Sequence, residues 1–321
     1  MMKYRPTPLR LIFMGTPEFA VSSLQHLIEN GCQVVAVITA PDKPSGRGLT
    51  LVASPVKQYA LTQNIPVLQP EKLKNPDFLA ELRSYQADLQ VVVAFRMLPE
   101  VVWNMPPKGT FNLHASLLPD YRGAAPINWA IMNGETKTGL TTFFLEHEID
   151  TGNIIFQEEE PIAPNDNVGT LYERLMHKGA ALVLKTVRAV EAGTYPQIPQ
   201  AVVETPKLAP KIFKETCEIN WNQPAEIIRN FVRGLSPYPA AWTTLNGKVL
   251  KIYEVKVLGI EDLINSPKDE IVTQRNEVVI KTDHKKYLHF QTADGWVAVE
   301  DLQIEGKKRL KIEDFLRGAR L

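Results

Sequence analysis

Cysteine is scarce. Cys32 and Cys217 are the two thiols in 321 residues, far apart in sequence. They give no disulfide framework and no paired zinc spacing, so two reduced thiols in a cytoplasmic protein are expected. The six histidines are scattered, and none forms the pair of a zinc helix, so no metal site is expected. Net charge is also missing, since 36 Lys and Arg balance 36 Asp and Glu. That balance argues against a protein living on non-specific nucleic-acid affinity, while leaving room for a local basic patch. Long apolar runs are lacking: the stretch Leu9 to Met14 is short and meets Gly15-Thr16-Pro17, too little for a signal peptide or a membrane span. The turn at Gly15 lacks the glycines of G-x-G-x-x-G, which argues against a dinucleotide site. There is no internal repeat and no low-complexity tract.

What is present is an ordinary globular composition, 44% hydrophobic and 22% charged, in a chain long enough for about two domains. Leu9 to Met14 reads as a buried strand. Thr16 is the expected N-cap of the next helix, with Pro17 at its first position, Leu24, Leu27 and Ile28 on its apolar face and Asn30-Gly31 at its end. Gln33 to Ile38 is a second strand. Strand, helix and strand in so short a span make a βαβ unit, and a parallel sheet follows.

Pro41 to Pro55 reads as a loop rich in Pro, Gly and Ser that carries Lys43 and Arg47. It is long for such a connection, which suggests either a solvated flap or an arm for an anionic substrate. Helices are expected over Val56 to Asn64 and Asp77 to Tyr85. Ile65 to Leu68 is a short strand and Leu89 to Phe95 a central one.

The chain is organised around Phe111 to Ile127, FNLHASLLPDYRGAAPI. If Thr110 to His114 is a strand ending at a site, Asn112 and His114 face one space, because residues two apart in a strand point to the same side. An amide donor beside an imidazole suits acyl chemistry, in which one group holds a developing oxyanion and the other helps move a proton. Further on, Pro126 to Asn133 reads as a helix, Gly139 to Leu145 as an alternating strand, Asn153 to Gln157 as a strand and Leu171 to Glu191 as a long helix.

Composition then changes. Thr194 to Pro210 holds four prolines and little periodicity, and reads as a linker. Beyond it, Pro224 to Arg233 and Ile312 to Arg317 are helical. Between them lie β-rich runs at Val249 to Val257, Glu270 to Val272, Glu277 to Thr282, Tyr287 to Thr292 and Trp296 to Ile304, which suggest a small barrel of the oligonucleotide-binding (OB) type. The expected division is a Rossmann-like, mostly parallel α/β domain over 1–193, a linker over 194–210 and an OB-like β-barrel domain over 211–321.

These residues carry a resemblance. NLHASLLPDYRGAAPI, with GTPEFA near the start, PDKPSGRG in the loop, IDTGNI downstream and INW…IRNFVRGLSPYPAAW in the second half, resembles the methionyl-tRNA formyltransferases over nearly the whole chain. The Asn-x-His-x-Ser-Leu-Leu-Pro core is shared by enzymes of this fold that use 10-formyltetrahydrofolate, so it points to formyl chemistry. Gly123 to Ile127 and the C-terminal part point to the initiator-tRNA members. The resemblance implies transfer of a formyl group to methionyl initiator tRNA, with no metal and no membrane, by a monomer. Catalysis would fall to Asn112, His114 and Asp150. Asn112 would donate to the formyl oxygen, and His114 would donate a second bond or accept the amine proton. Asp150 would fix the His114 tautomer, aimed inward by the turn Thr151-Gly152.

Ser116, Leu117, Leu118, Pro119, Phe95, Met97 and Leu98 would meet the folate. The sequence departs from the family there: Phe95-Arg96-Met97-Leu98 stands where a Tyr-Gly pair and a longer apolar turn are common, and is one residue shorter. The tRNA would meet Arg47 and Lys43 on the loop, and Lys211, Lys248, Lys251, Lys307, Lys308 and Arg309 in the C-terminal part as phosphate contacts. His147 is expected to face solvent, and Ser116 to cap a turn, since it lacks a nucleophile's Gly-x-Ser-x-Gly setting. An amino-sugar nucleotide, a small amine or water as formyl acceptor, and a nucleic-acid-binding module on an inert scaffold, are the competing readings.

Overall fold

The computed structural model describes residues 8–45, 50–259, 261, 271–275 and 278–318. The chain forms two compact units, neither of them continuous in sequence. The first comprises Met1–Gly123, Thr138–Glu160 and Tyr172–Lys207, and the second Ala124–Lys137, Pro161–Leu171 and Leu208–Leu321. Among the described residues no helix is long and apolar enough to cross a membrane, and both cysteines are free.

The first unit is built on a seven-stranded sheet in the order Ile154–Pro161, Lys137–Phe144, Thr110–His114, Leu89–Val93, Arg10–Gly15, Gln33–Ile38, Val67–Leu68. From Thr110–His114 onward every pairing is parallel, while Lys137–Phe144 runs antiparallel to Thr110–His114. This is the mostly parallel, Rossmann-like sheet expected. Its parallel strands end together at Gly15, Val93 and His114, the carboxyl edge where open α/β sheets bind ligands. Ile12, Met14, Ala36, Ile38 and Val92 fill a core on one side, packed with Leu68, Phe78, Leu82, Leu98 and Val102.

Helices accompany this sheet: the first is Glu18–Glu29, the second Pro55–Thr62 and the third Pro76–Ser84, followed by the short Glu100–Trp103 and by Val168–Ala192 from Tyr172 onward. The Ser54 hydroxyl caps the second, accepting from Lys57 N at 3.1 Å, and the Asn75 amide oxygen caps the third, accepting from Asp77 N at 2.8 Å. Each such cap is worth about 1 kcal/mol. The first helix corrects the expectation for Thr16. Its N-cap is Pro17, with no side-chain cap bond, and the Phe19 amide donates instead to the Tyr172 hydroxyl at 2.9 Å.

Two further elements differ from the sequence reading. The Pro41 to Pro55 stretch is no plain loop: Lys43–Ser45 and Thr50–Val52 pair antiparallel as a hairpin. The strand Lys137–Phe144 does not alternate between core and solvent, because Thr141 and Thr142 are as buried as Leu140 and Phe143. Thr142 shares a hydrogen bond with the Thr186 hydroxyl at 2.9 Å, and Thr141 donates to Ser116 O at 2.7 Å. The hydroxyls are satisfied inside, so their polarity did not need water.

The second unit carries an antiparallel sheet in the order Ala241–Leu245, Lys248–Val257, Trp296–Ile304, Leu288–Gln291, Val278–Thr282, Ile271–Arg275, with Leu310–Lys311 against Trp296–Ile304. The expected small barrel is present as a curled half-barrel: among the described residues no pairing joins Ala241–Leu245 to Ile271–Arg275. The strand Ala241–Leu245 was not expected. It forms a hairpin with Lys248–Val257 through Asn246 and Gly247, both at positive φ, 53° and 75°, as a tight two-residue hairpin turn requires. Helix Ala225–Leu235 and Phe315, Leu316 and Ile312 pack on the core with Ile252, Phe290 and Leu302.

Candidate active site

Thr110–His114 is a strand with the predicted bounds. Asn112 pairs with Val92 on one side and Phe143 on the other, and His114 with Thr141. The two side chains therefore lie on one face of the sheet. Asn112 is half-buried, and among the described residues its side-chain amide has no hydrogen-bond partner. It is a donor held in place by the strand and left unspent.

His114 is buried, and its Nε2 lies 2.8 Å from Tyr121 O. A carbonyl can only accept, so Nε2 carries the proton in this contact. In the neutral ring Nδ1 is then the bare nitrogen, and it faces Asp150 Oδ2 at 3.9 Å, with side-chain exposures of 7% and 12%. That distance is beyond a hydrogen bond. The backbone of Tyr121, rather than Asp150, thus sets the tautomer in this geometry, and Asp150 faces the nitrogen at which a second proton would arrive.

Asp150 is positioned by its backbone. Its φ is 56°, a left-handed conformation uncommon for a non-glycine residue but tolerated best by Asn and Asp. Its Oδ2 accepts from Gly123 N at 3.1 Å. Gly152 follows, and a Cβ there would lie 1.7 Å from Phe144 O; the loop can return to the sheet only on a residue without a side chain. The sequence places the tight turn at Thr151-Gly152; the structure turns one step earlier, at Ile149–Asp150, and bends at Gly152, where the glycine serves close approach.

The remaining site residues fall around this centre. The Ser116 hydroxyl donates to Asp120 O at 2.7 Å. Leu118 packs with Phe143 and Ile154, its N donates to Thr141 Oγ1 and its O accepts from Gln157 Nε2. Pro119 follows a cis peptide bond, and Leu117 lies against Gly139. After the strand Leu89–Val93, Phe95 is partly buried, Leu98 is in the core and Met97 is 72% exposed. Arg96, at the point where the sequence departs from the family pattern, donates to Glu71 O at 2.9 Å and to Pro70 O. The shortened turn is tied to the neighbouring loop by a guanidinium. His147 is exposed as expected and pairs with Glu100 at 3.7 Å.

Of the residues expected at tRNA, Arg47 lies outside the described residues. Lys43 is exposed at the start of the hairpin. In the second unit Lys248, Lys307 and Lys308 are exposed and Lys251 is half-buried, while Lys211 Nζ lies 5.3 Å from the Phe213 ring centre. Arg309 is already engaged: its Nε and Nη2 reach the two Asp301 oxygens at 2.8 and 3.0 Å, and it lies over the Tyr253 ring. Among the described residues no group of three His, Cys, Asp or Glu side chains could hold a metal ion.

Sequence reading missed Gln200, which meets the backbone of the Asp150 loop, and Arg122, which holds Gln200. The Gln200 amide donates to Asp150 O at 2.8 Å and to Gly152 O at 3.0 Å, and its Oε1 accepts from Arg122 Nη2 at 2.5 Å. Nothing in a proline-rich stretch distinguishes a glutamine that will bond to distant carbonyls.

Comparison with known proteins identifies the family. Residues 9–187 match the model of the formyl transferase family and residues 211–320 that of the formyl transferase C-terminal domain. A methionyl-tRNA formyltransferase of Bacteroides fragilis is 56% identical over 316 residues, covering 98% of this chain and 96% of that protein. One of Parabacteroides distasonis is 57% identical over 320 residues, covering 97% and 95%. Among solved structures, WlaRD, a sugar 3N-formyl transferase crystallised with dTDP and 5-N-formyl-THF, shares the fold at a TM-score of 0.64 and 20% identity, over 94% of this chain and all of that one. The strand bearing Asn112 and His114, and the loop that brings Asp150 to face the imidazole, thus lie within a chain that belongs to the formyl transferase family and, within it, to the methionyl-tRNA formyltransferases.

Proposed function

We propose that the protein transfers the formyl group of 10-formyltetrahydrofolate to the α-amine of methionine esterified to initiator tRNA, for translation initiation. The observation that carries this reading is the Asn112 amide, unpartnered among the described residues, on one strand with an imidazole whose bare nitrogen faces a carboxylate.

The amine must be neutral to attack. A free α-amine titrates at about 7.7–8.0, and the electron-withdrawing ester lowers that, so no strong activation is needed. The barrier lies in orienting two large substrates and in charge on the formyl oxygen. Asn112 donates to that oxygen. The amine nitrogen bonds to the formyl carbon as the bond from that carbon to the folate nitrogen breaks. His114 Nδ1 takes the amine proton and returns it to the folate nitrogen, and Asp150 faces the positive charge that the ring carries meanwhile.

In this reading Phe95 and Met97 supply the apolar rim for the folate. Leu98 and Leu118 hold that rim from beneath, and Ser116, Leu117 and Pro119 shape its floor. Arg47 and Lys43 meet the acceptor end of the tRNA, while Lys211, Lys248, Lys251, Lys307 and Arg309 meet phosphates. Arg309 does so while shared with Asp301. The same reading makes the protein a cytoplasmic monomer, with its catalytic residues within 1–193 and its C-terminal tRNA contacts within 211–321.

The test is an acceptor panel. The protein is incubated with 10-formyltetrahydrofolate and methionyl initiator tRNA, an elongator tRNA, an amino-sugar nucleotide or a small amine. Formylation of the initiator species is expected, and its absence overturns the proposal. Arg47→Ala should raise KM for the tRNA about tenfold, in line with loss of a charge-assisted contact, and leave folate binding unchanged; unaltered tRNA kinetics would remove the hairpin from the tRNA site.

A further inference from the structure

We infer that Gln200, held by Arg122, is a positioning residue for the catalytic carboxylate of Asp150; this rests on the formyl-transfer reading above. The contacts close a ring. His114 Nε2 donates to Tyr121 O, the next residue Arg122 donates to Gln200 Oε1, Gln200 Nε2 donates to Asp150 O, and the Asp150 carboxylate returns to face His114 Nδ1. Gly123 N donates to that carboxylate across the ring. Each segment carrying a partner of the imidazole is therefore tied to the other both directly and through one glutamine.

The glutamine is suited to this work. Its amide offers two N–H donors and one acceptor on a rigid plane. Both donors meet backbone carbonyls on either side of Thr151, and the acceptor takes the guanidinium. Asp150 needs such a clamp because its left-handed φ is not self-sustaining. Gln200 is itself fixed from two residues away, where Ile198 and Ile154 exchange backbone hydrogen bonds of 2.9 and 2.8 Å beside the loop. Arg122 Nη2 and Gln200 are half-buried, so the clamp is partly shielded from water.

The Gln200 amide is engaged by the backbone on both sides of Thr151 and by Arg122, so its removal should act on turnover through Asp150. Gln200→Ala is expected to lower kcat about 10- to 100-fold, the loss typical of a misplaced catalytic group, with KM for 10-formyltetrahydrofolate within about twofold. Gln200→Glu keeps the acceptor for Arg122 but cannot donate to the two carbonyls, and should lose a similar factor while staying folded. In an Asp150→Ala background the Gln200→Ala effect should vanish. A kcat loss that persists undiminished there, or wild-type turnover in both Gln200 variants, overturns the inference.

A second measurement does not depend on activity. Amide exchange at Gly123, whose N–H is held by Asp150 Oδ2, should quicken about tenfold in Gln200→Ala, as expected for losing about one net hydrogen bond. Unchanged exchange also overturns the inference. If the wild-type protein formylates no tRNA, the functional reading fails, and Gly123 exchange still decides whether Gln200 positions Asp150.

Discussion

Replacing Asn112 by alanine separates chemistry from folding more cleanly than any other change at this site. The amide is half-buried and, among the described residues, unpartnered. Its removal therefore strands no buried acceptor and breaks no internal hydrogen bond. Surface-like substitutions without such losses shift stability by about 0.5 kcal/mol or less. For a unit of this size that is about 1–2 °C in Tm. The rate tells a different story if the amide holds the formyl oxygen. Losing one oxyanion donor costs about 10²–10³ in kcat, or about 2.7–4 kcal/mol of transition-state stabilisation. Asn112→Asp should be worse than alanine, because it keeps the volume but places an acceptor and a negative charge where negative charge develops. The assay pairs single-turnover formylation of methionyl initiator tRNA with thermal unfolding and folate binding. A loss below about tenfold would refute the oxyanion role. A Tm drop beyond about 5 °C would show that the amide holds the strand together, contrary to its unpartnered state.

Two other changes probe the frame around the site. Gly152→Ala places a methyl group 1.7 Å from Phe144 O, so the loop must move or the sheet must yield. It should cost about 1–3 kcal/mol and lower kcat along with Tm, and a variant matching wild type in both would contradict the close approach. Burial pushes the Glu160 carboxyl up, but hydrogen bonds from Arg174 at 2.9 Å and Lys178 at 3.1 Å outweigh it and hold its pKa below the usual value. A lowered folded-state value contributes stability above the unfolded-state value of about 4.3, and that contribution is lost as pH falls through the folded value. Urea midpoints of wild type and Glu160→Gln should thus differ at pH 7 and converge on acidification; a gap independent of pH would refute the coupling.

The sequence carried the sheet and the heart of the site because local signals agreed there. Thr110 to His114 sets Asn112 and His114 two residues apart and ends before a proline-containing run, so the strand and its two facing side chains could be read directly. Thr151-Gly152 announced a turn, which the structure makes at Ile149–Asp150. Signals failed where tertiary contacts decide. The alternation of Gly139 to Leu145 implies a face away from the core, yet its threonines bond to Ser116 O and Thr186. Thr16 looked like a cap, but Tyr172, far along the chain, supplies the oxygen that satisfies the Phe19 amide. Ala241–Leu245 is legible only from the far side of its turn, since Asn246-Gly247 implies a strand on each side. Arg309 has the composition of a phosphate contact, and only the fold shows Asp301 beside it.

The bond from Gln200 to Asp150 spans 50 residues of chain, and that separation gives the protein a schedule. At roughly 5–20 residues per second on the ribosome, residue 200 follows residue 150 by about 2.5–10 s. Through that interval the nascent polypeptide can already hold the strand with Asn112 and His114, while its carboxylate lacks the brace. If Gln200 positions Asp150 as inferred above, competence arrives with a segment that looks, by composition, like mere spacer. Any proteolytic nick or engineered crossover placed between Gly193 and Gln200 would cut through the catalytic apparatus, and a fusion designed to swap C-terminal halves should keep that stretch with the N-terminal one.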